Sequence, residues 1–216
     1  MLFKPCCLCL AAYLFSVAFK KNKVIMSTNQ FLNSIALMQI LQEASSESEQ
    51  LFGQLSAAAL NWKPSPDKWS IAQCLHHLMV TNTSYYPEFE RILNGGAFTN
   101  PWGKIPFLPS FFGQMLLKSV NPASARALKT TPVFAPSSSN LPATIVADFV
   151  KQQQQTINYY NRLQQVPAPH KVLVTSPAAR FITYSLSNTL HIIALHGQRH
   201  LNQAKRILQM PGFPAQ

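Results

Sequence analysis

The chain has 216 residues, of which 47% are hydrophobic, and this length suits one well-buried domain better than two. Its formal net charge is +11, but four lysines precede Met26, so the remainder carries 14 basic minus 7 acidic residues, or +7. The basic residues are scattered from Lys63 to Arg206 without a dense run, which argues against a nucleic-acid-binding protein.

Residues 1–25 form a hydrophobic extension whose apolar run, residues 6–19, has lysines on both sides. This run is shorter than the roughly 20 residues that a membrane-spanning helix needs. Ser16-Val17-Ala18 has the small-x-small form of a signal-peptide cleavage site. The favoured interpretation is that translation starts at Met26 and that residues 26–216 are a cytoplasmic domain. The alternative is a membrane anchor through residues 6–19, or export, and a membrane partner is expected only if residues 1–25 are retained.

The cysteines do not indicate a disulfide framework. Three of the four precede Met26, and only Cys74 lies in the body of the chain, inside a helical pattern. No histidine partner can be assigned to it from the sequence. Cys74 is therefore interpreted as a small buried apolar residue and not as a nucleophile.

Two amphipathic helices are predicted in the first half of the chain. Apolar residues recur at intervals of three and four from Asn29 to Ala58, which predicts a first long helix that a proline-rich stretch ends. A second helix begins after Ser70, a natural N-cap, and continues to about Asn94. His76 and His77 both lie on the flank of its apolar face, and His77 is the nearer of the two.

A long, irregular connection separates the second helix from the third. It spans residues 95–140 and contains Phe111–Val120, a predicted short amphipathic helix whose aromatic residues either roof a pocket or pack over the end of the helices. A third helix is predicted from Pro142 to Gln165. After it, Lys171–Thr175 and Phe181–Tyr184 are short β-like patches at most.

The final predicted helix, Ser185–Leu208, carries two histidines one turn apart. The i, i+4 spacing of His196 and His200 allows one helix to offer two nitrogens to a single metal ion, each at about 2.0–2.1 Å. His191 points away from the buried face. A third ligand must come from elsewhere, and the paired histidines of the second helix are the candidates. These four helices predict an all-α fold, a four-helix bundle with a long connection between helices 2 and 3.

The two histidine motifs resemble those of a known family. The segment Trp69-Ser70-Ile71-Ala72-Gln73-Cys74-Leu75-His76-His77-Leu78 is similar to the Trp-Ser and His signature of the DinB-like superfamily. His196-Gly197-Gln198-Arg199-His200 resembles the later His-x-x-x-His motif of that family. The resemblance implies an up-down-down-up bundle over residues 26–216 and a divalent metal held by His77, His196 and His200. Histidines that simply fill the core or the surface are the alternative.

Three neutral imidazoles would leave an open position on a bound metal ion, as in catalytic zinc sites. The ligands do not fix the metal, although zinc or nickel is favoured. The resemblance implies a metal-dependent thiol transferase or hydrolase acting on a small-molecule substrate, with a low-molecular-weight thiol as partner in the first case. A non-enzymatic metal-binding or interaction bundle, which could pair as a homodimer, is the alternative. No catalytic base is assigned, because Glu88 and Asp148 fit solvated helix-face charges.

Overall fold

A computed structural model describes residues 33–124, 130–136 and 139–214. The helices and strands of these residues are α1 (Ser34–Phe52), α2 (Ala57–Asn61), α3 (Ile71–Leu93), α4 (Leu108–Val120), α5 (Ile145–Leu163), β1 (Leu173–Thr175), β2 (Thr183–Ser185) and α6 (Leu186–Leu208). The described residues are mostly helical, as the predicted all-α class requires. None of their helices is both long enough and apolar enough to cross a membrane. The predicted extension 1–25 and the boundary at Met26 lie outside the described residues.

The first predicted helix is interrupted near its end. Its expected start at Asn29 lies outside the described residues. Within them, α1 begins after Asn33, and the Asn33 side chain accepts a hydrogen bond from the amide of Ala36 at 2.8 Å. The helix ends at Phe52 and not at Ala58, and Ser56 then caps the short helix α2 by the same kind of contact. Because these polar side chains satisfy amides that a helix start leaves unpaired, they set boundaries that the apolar periodicity does not show.

The start of α3 is fixed by a reciprocal capping box. The Ser70 hydroxyl accepts a hydrogen bond from the Gln73 amide at 3.1 Å, and the Gln73 side chain accepts one from the Ser70 amide at 3.1 Å. The predicted N-cap is therefore confirmed, with a second contact that strengthens it. This cap sets the register of the helix that carries both candidate histidines of the first motif.

The four long helices α1, α3, α5 and α6 enclose the core. Helices α1 and α3 each pack against both α5 and α6, so the contacts close into a ring. The apolar stripes of the helices meet inside this ring, where Phe52, Leu75 and Phe149 are at most 1% exposed. Cys74 lies in the same core and is fully buried, as the sequence indicated.

The connection between α3 and α5 forms a second layer outside this ring. Its helix α4 packs against α6 and β2, and β2 pairs with β1 in a short antiparallel hairpin. Gly113 makes the close approach possible, because a Cβ there would lie 2.0 Å from the side-chain nitrogen of Asn188 on α6. The predicted helix at Phe111–Val120 is present and begins three residues earlier.

This second layer changes the environment of α6. The sequence placed His191 away from the buried face, yet the residue is only 8% exposed, and its Nδ1–H donates to the Ser187 carbonyl at 2.8 Å. The N-terminal half of α6 is buried almost all round because α4 covers the face that the ring leaves open. At the other end, Ile207 is buried at 2% exposure, while Leu208, the last residue of the predicted helix, is only partly buried.

Candidate metal centre

His77 lies in the middle of the first half of α3 and is 4% exposed. Its Nδ1 is 2.7 Å from the carbonyl oxygen of Phe134, in the connection between α3 and α5. A carbonyl oxygen can only accept a hydrogen bond, so Nδ1 carries the proton and Nε2 is left with its lone pair. The contact therefore fixes both the orientation and the tautomer of this imidazole.

His196 and His200 lie one turn apart on α6 and face His77. The Nε2 atoms of His77 and His196 are 3.1 Å apart. The ring centroid of His200 lies 4.6 Å from the ring centroid of His77 and 4.6 Å from that of His196. One nitrogen from each of the three rings lies within 4.8 Å of the others. The structure thus brings together all three histidines that the resemblance named.

His200 has its own orienting contact. Its Nδ1 is 3.1 Å from the side-chain oxygen of Gln203, three residues further along α6. The amide oxygen is an acceptor, so Nδ1–H donates to it and the Nε2 lone pair is free to face the cluster. Such contacts to the second ring nitrogen are the ones that orient metal-binding histidines in proteins.

Burial keeps the three imidazoles neutral. Loss of hydration lowers the pKa of His77, although the Phe134 carbonyl acts in the opposite direction. The pKa of His196 lies well below its usual range, first through burial and then through the neighbouring rings of His200 and His77. Burial also lowers the pKa of His200 to about 3. The neutral form, which is the form that binds a metal ion, therefore dominates near pH 7.

Trp69 forms one wall of the histidine cluster. Its ring stacks on His200 with centroids 5.6 Å apart and an interplanar angle of 20°, and it lies 4.9 Å from His77. The two residues that open the first motif therefore have separate tasks: Trp69 packs against the imidazoles, while Ser70 caps the helix that carries one of them.

The cluster lines a cavity of about 1020 Å³. The C-terminal part of α4 closes one side of it through Leu116, Ser119 and Val120. The aromatic residues of α4 do not line the cavity, so the first of the two alternatives given for them, that they roof a pocket, does not hold. Leu116 and Val120 of the same helix line it instead. Arg199 fastens this cover, because its Nη1 donates to the carbonyls of Asn121 and Ser124.

The cavity continues along α3 to a polar end. Thr81 and Tyr85 lie one and two turns beyond His77 and line the same cavity. Thr81 is 9% exposed, and its hydroxyl oxygen has no hydrogen-bond partner among the described residues. The Tyr85 hydroxyl lies 2.5 Å from that of Tyr184, and burial raises the pKa of Tyr184 to about 12. Of these groups, the Thr81 hydroxyl can hydrogen-bond a polar group at this end of the cavity.

Carboxylates are scarce at the site. All seven of the chain's acidic side chains lie in described residues, and only Asp67 lines the cavity. Its side chain is 73% exposed, and a hydrogen bond from the Ser65 hydroxyl lowers its pKa, which makes it a weaker base. Glu88 is instead paired with Arg91 at 2.7 Å, and Asp148 is exposed, so neither is placed as a catalytic base.

The donor set fits a divalent transition metal. Two nitrogens bound to one ion at about 2.0–2.1 Å each, at a tetrahedral angle, lie roughly 3.3–3.4 Å apart, close to the observed separation of 3.1 Å between the Nε2 atoms of His77 and His196. Two lone pairs that face each other at this distance in a buried place repel unless a proton or a cation lies between them. A metal ion would satisfy the pair, and the third ring is within reach of the same point.

The sequence missed three contributors to this geometry. The Phe134 carbonyl is a backbone group in an irregular segment, and no side-chain pattern could have identified it. Gln203 could have been found from its i+3 spacing to His200. Trp69 was part of the quoted motif, but its stacking on His200 joins two helices and needed the structure. Of the other histidines, His76, His170 and His191 lie outside the cluster.

A comparison with protein families gives a match. The family model of the DinB superfamily matches residues 40–204, which is well over half of the chain and includes all three clustered histidines. Searches of curated proteins and of solved structures gave no match. The extent of the family match is sufficient to assign the family: the chain belongs to the DinB superfamily.

Proposed function

We propose that this protein is a metal-dependent transferase that joins a low-molecular-weight thiol to a small electrophilic substrate, within a four-helix bundle of up-down-down-up topology. The observation that carries the proposal is the convergence of three neutral imidazoles, two of them oriented by a second contact, on the wall of a cavity. His77, His196 and His200 would hold the ion, with zinc or nickel favoured. A divalent ion held there would lower the pKa of a bound thiol or water and so supply a nucleophile at neutral pH.

The side chains of the cavity support a division of tasks. The Phe134 carbonyl and Gln203 keep the ring protons of His77 and His200 turned away from the cluster. Trp69 and the aliphatic end of α4 limit the access of water to the reacting groups. Thr81, whose hydroxyl has no partner among the described residues, would donate to or accept from a polar group of the substrate.

The scarcity of carboxylates favours thiol transfer over hydrolysis. In thiol transfer the sulfur loses its proton, forms a bond to an electrophilic carbon, and displaces the leaving group. The thiol proton can pass to solvent, so a dedicated base is not required. Hydrolysis generally uses a base that takes a proton from the attacking water, and Asp67 is exposed and weakly basic. A metal-dependent hydrolase is therefore the second candidate, and a non-enzymatic metal-binding bundle in the cytoplasm is the third.

The experiment begins with the full chain, stripped with a chelator and then titrated with zinc or nickel. We expect one equivalent to bind, and we expect the loaded protein to transfer small thiols to an activated aryl halide, followed by mass spectrometry. If the protein binds no metal, the proposal that His77, His196 and His200 hold a metal ion is contradicted. A loaded protein that is inactive with all thiols tested would contradict thiol transfer and leave the hydrolase and the binding bundle as the remaining candidates.

Two substitutions test the reaction and the recognition of the substrate. Asp67→Asn should leave thiol transfer unchanged, whereas a hydrolase that uses this carboxylate would lose its activity. Thr81→Val keeps the shape of the side chain and removes the hydroxyl, so we expect a raised KM for substrates with a matching polar group and an unchanged metal content. A Thr81→Val protein with unaltered KM for every substrate would exclude the hydroxyl from recognition.

A further inference from the structure

An exposed surface of large apolar residues lies on the outer side of the cover over the cavity. We call it the aromatic surface, and its members are Trp102, Ile105, Phe107, Phe111, Met115 and Phe181. Phe107 is 75% exposed and Phe111 is 59% exposed. Single exposed apolar residues are common in proteins, but a cluster of this kind is typical of a binding surface.

The aromatic surface is contiguous. Trp102 and Phe181 have ring centroids 6.4 Å apart, and the partly buried Phe112 joins Phe181 at 6.1 Å to Phe111 at 5.4 Å. Asn100 fixes the two segments to each other, because its side-chain amide donates to the Thr175 hydroxyl and to the Arg180 carbonyl. Residues from three separate segments therefore form one patch.

Helix α4 is apolar on two opposite sides. At 100° per residue, Phe111, Met115 and Lys118 fall within about 60° of one another, and all three are exposed. Leu116 lies about 140° round the helix from Phe111 and lines the cavity, while Phe107 directly precedes the first residue of the helix. The inner side packs against α6 and β2 and lines the cavity. The large apolar residues of the outer side are exposed among the described residues.

Phe107 is held outward at a backbone cost. Its φ is +63°, in the left-handed region that bulky residues rarely adopt. Its ring packs little in return, since three quarters of the residue is exposed. A strained conformation that the packing does not explain is a sign that the exposed ring serves a function.

The charged residues in the segments that form the aromatic surface are all positive. Lys104, Lys118 and Arg180 are exposed and lie within or beside its segments. Residues 100–118 and 180–181, which form the surface, contain no acidic residue. Tryptophan and phenylalanine beside lysine and arginine are the combination that binds the interface of an anionic bilayer, where rings enter the headgroup region and cations meet lipid phosphates.

We propose that the aromatic surface docks this protein onto an anionic lipid bilayer. A second copy of the chain is a poorer partner, because the same lysines and arginine on both copies would face each other and repel. The proposal does not depend on the metal site. It does place the cavity cover against the membrane, since the inner side of α4 lines the cavity and the outer side carries the rings.

The first test is flotation of the full chain with vesicles. We expect binding to vesicles of phosphatidylcholine and phosphatidylglycerol in equal parts, weaker binding to phosphatidylcholine alone, and weakening by salt. The double variant Lys104→Gln, Lys118→Gln should bind roughly 25-fold more weakly, since each cation contributes about five-fold at such a surface. Binding that does not respond to lipid charge would overturn the proposal.

A second test substitutes the exposed rings and compares them with a control substitution of another exposed apolar residue. The double variant Phe107→Gly, Phe111→Ser should lose at least about ten-fold in vesicle binding. It should keep or gain thermal stability, because glycine relieves the strain at position 107. Ile35→Ser removes an apolar residue on α1 that is 69% exposed and should bind vesicles as the unmutated chain does. Equal binding by all three proteins would exclude the aromatic surface.

A second readout identifies the segment that touches the lipid. The chain has three tryptophans, Trp62, Trp69 and Trp102, and residues 1–32 contain none. Vesicles with brominated acyl chains should quench the fluorescence of the full chain, and Trp102→Phe should abolish most of that quenching. Binding without quenching would mean that residues 1–25 alone attach the protein. A dimer in lipid-free buffer that the ring variant converts to a monomer would assign the surface to a second copy instead.

Discussion

The region around Cys74 and the region around His77 lie on neighbouring turns of α3, and burial affects their chemistry in different ways. Cys74 faces the apolar core and is fully buried, while His77 is 4% exposed and faces the cavity. Loss of hydration raises the pKa of the Cys74 thiol to about 12, although the charge of Arg206 acts in the opposite direction. Loss of hydration lowers the pKa of His77, so both groups stay neutral.

The same neutral state has opposite consequences for the two groups. A thiol reacts as its thiolate, so burial makes Cys74 inert. An imidazole binds metal in its neutral form, so burial prepares His77 for binding, and the Phe134 carbonyl turns its lone pair toward the cluster. Burial therefore favours metal chemistry only where the neutral form is the reactive one and a further contact orients it.

Substitution of one of the three clustered histidines should have the largest effect, because it removes a neutral imidazole from the metal site. If the roughly 10–16 kcal/mol of a tight zinc site is shared among three ligands, each contributes about 3–5 kcal/mol, or about 10²–10⁴-fold in affinity. We expect His77→Ala and His200→Ala each to weaken zinc binding by at least this factor, as measured by competition with a chelating dye. His170→Ala, at an exposed histidine outside the cluster, is the control and should bind as before.

The pH dependence of the metal-free protein is expected to have a definite sign. The pKa values of all three clustered histidines are lowered in the folded state, so from about pH 6.5 downward the unfolded chain binds more protons than the folded one. The free energy of unfolding should fall with falling pH in this range, toward about pH 3 for His200, by up to about 1.4 kcal/mol per pH unit for each histidine.

Denaturant unfolding at a series of pH values in the presence of a chelator measures this slope. His200→Gln removes one titrating group, so its slope between about pH 6 and pH 4.5 should be smaller than that of the unmutated protein. Identical slopes would show that burial does not hold this ring neutral.

The contact between Gln203 and His200 allows orientation to be separated from ligation. Gln203→Leu removes the acceptor of the Nδ1 proton and leaves the imidazole in place, so metal affinity should fall by about 10–100-fold. Gln209→Leu, at an exposed position at the end of α6, should not change it. If competition with a chelator gives both variants the metal affinity of the unmutated protein, the contact with Gln203 does not orient His200 for metal binding.

Cys74 should show the smallest effect, confined to stability. Cys74→Ala leaves a small cavity in the core, and we expect a loss of about 1–2 kcal/mol in the free energy of unfolding with unchanged metal content. In the folded protein, iodoacetamide near neutral pH should leave Cys74 unmodified, read peptide by peptide because Cys6, Cys7 and Cys9 also carry thiols. Rapid alkylation of Cys74 would contradict its placement in the core.

The sequence predicted local features well and their surroundings poorly. The cap at Ser70 and the spacing of His196 and His200 follow from contacts within four residues, so a linear pattern was sufficient. The burial of His191 was missed because it depends on α4, a helix some 70 residues earlier whose apolar side toward α6 could not be assigned from periodicity. The break between α1 and α2 was missed because a capping serine leaves no trace in the apolar pattern.

By itself the sequence determined the helices, the two histidine motifs and the choice of family. It left open which histidine of the pair at 76 and 77 completes the cluster, because periodicity leaned to His77 without settling the choice and the resemblance then named His77. The tertiary structure decided this, since the Phe134 carbonyl lies 57 residues from His77 and the facing His196 lies 119 residues away. Contacts between such distant residues depend on how the helices pack and not on any short-range pattern, which is why the cluster, its cavity and its cover required the folded chain.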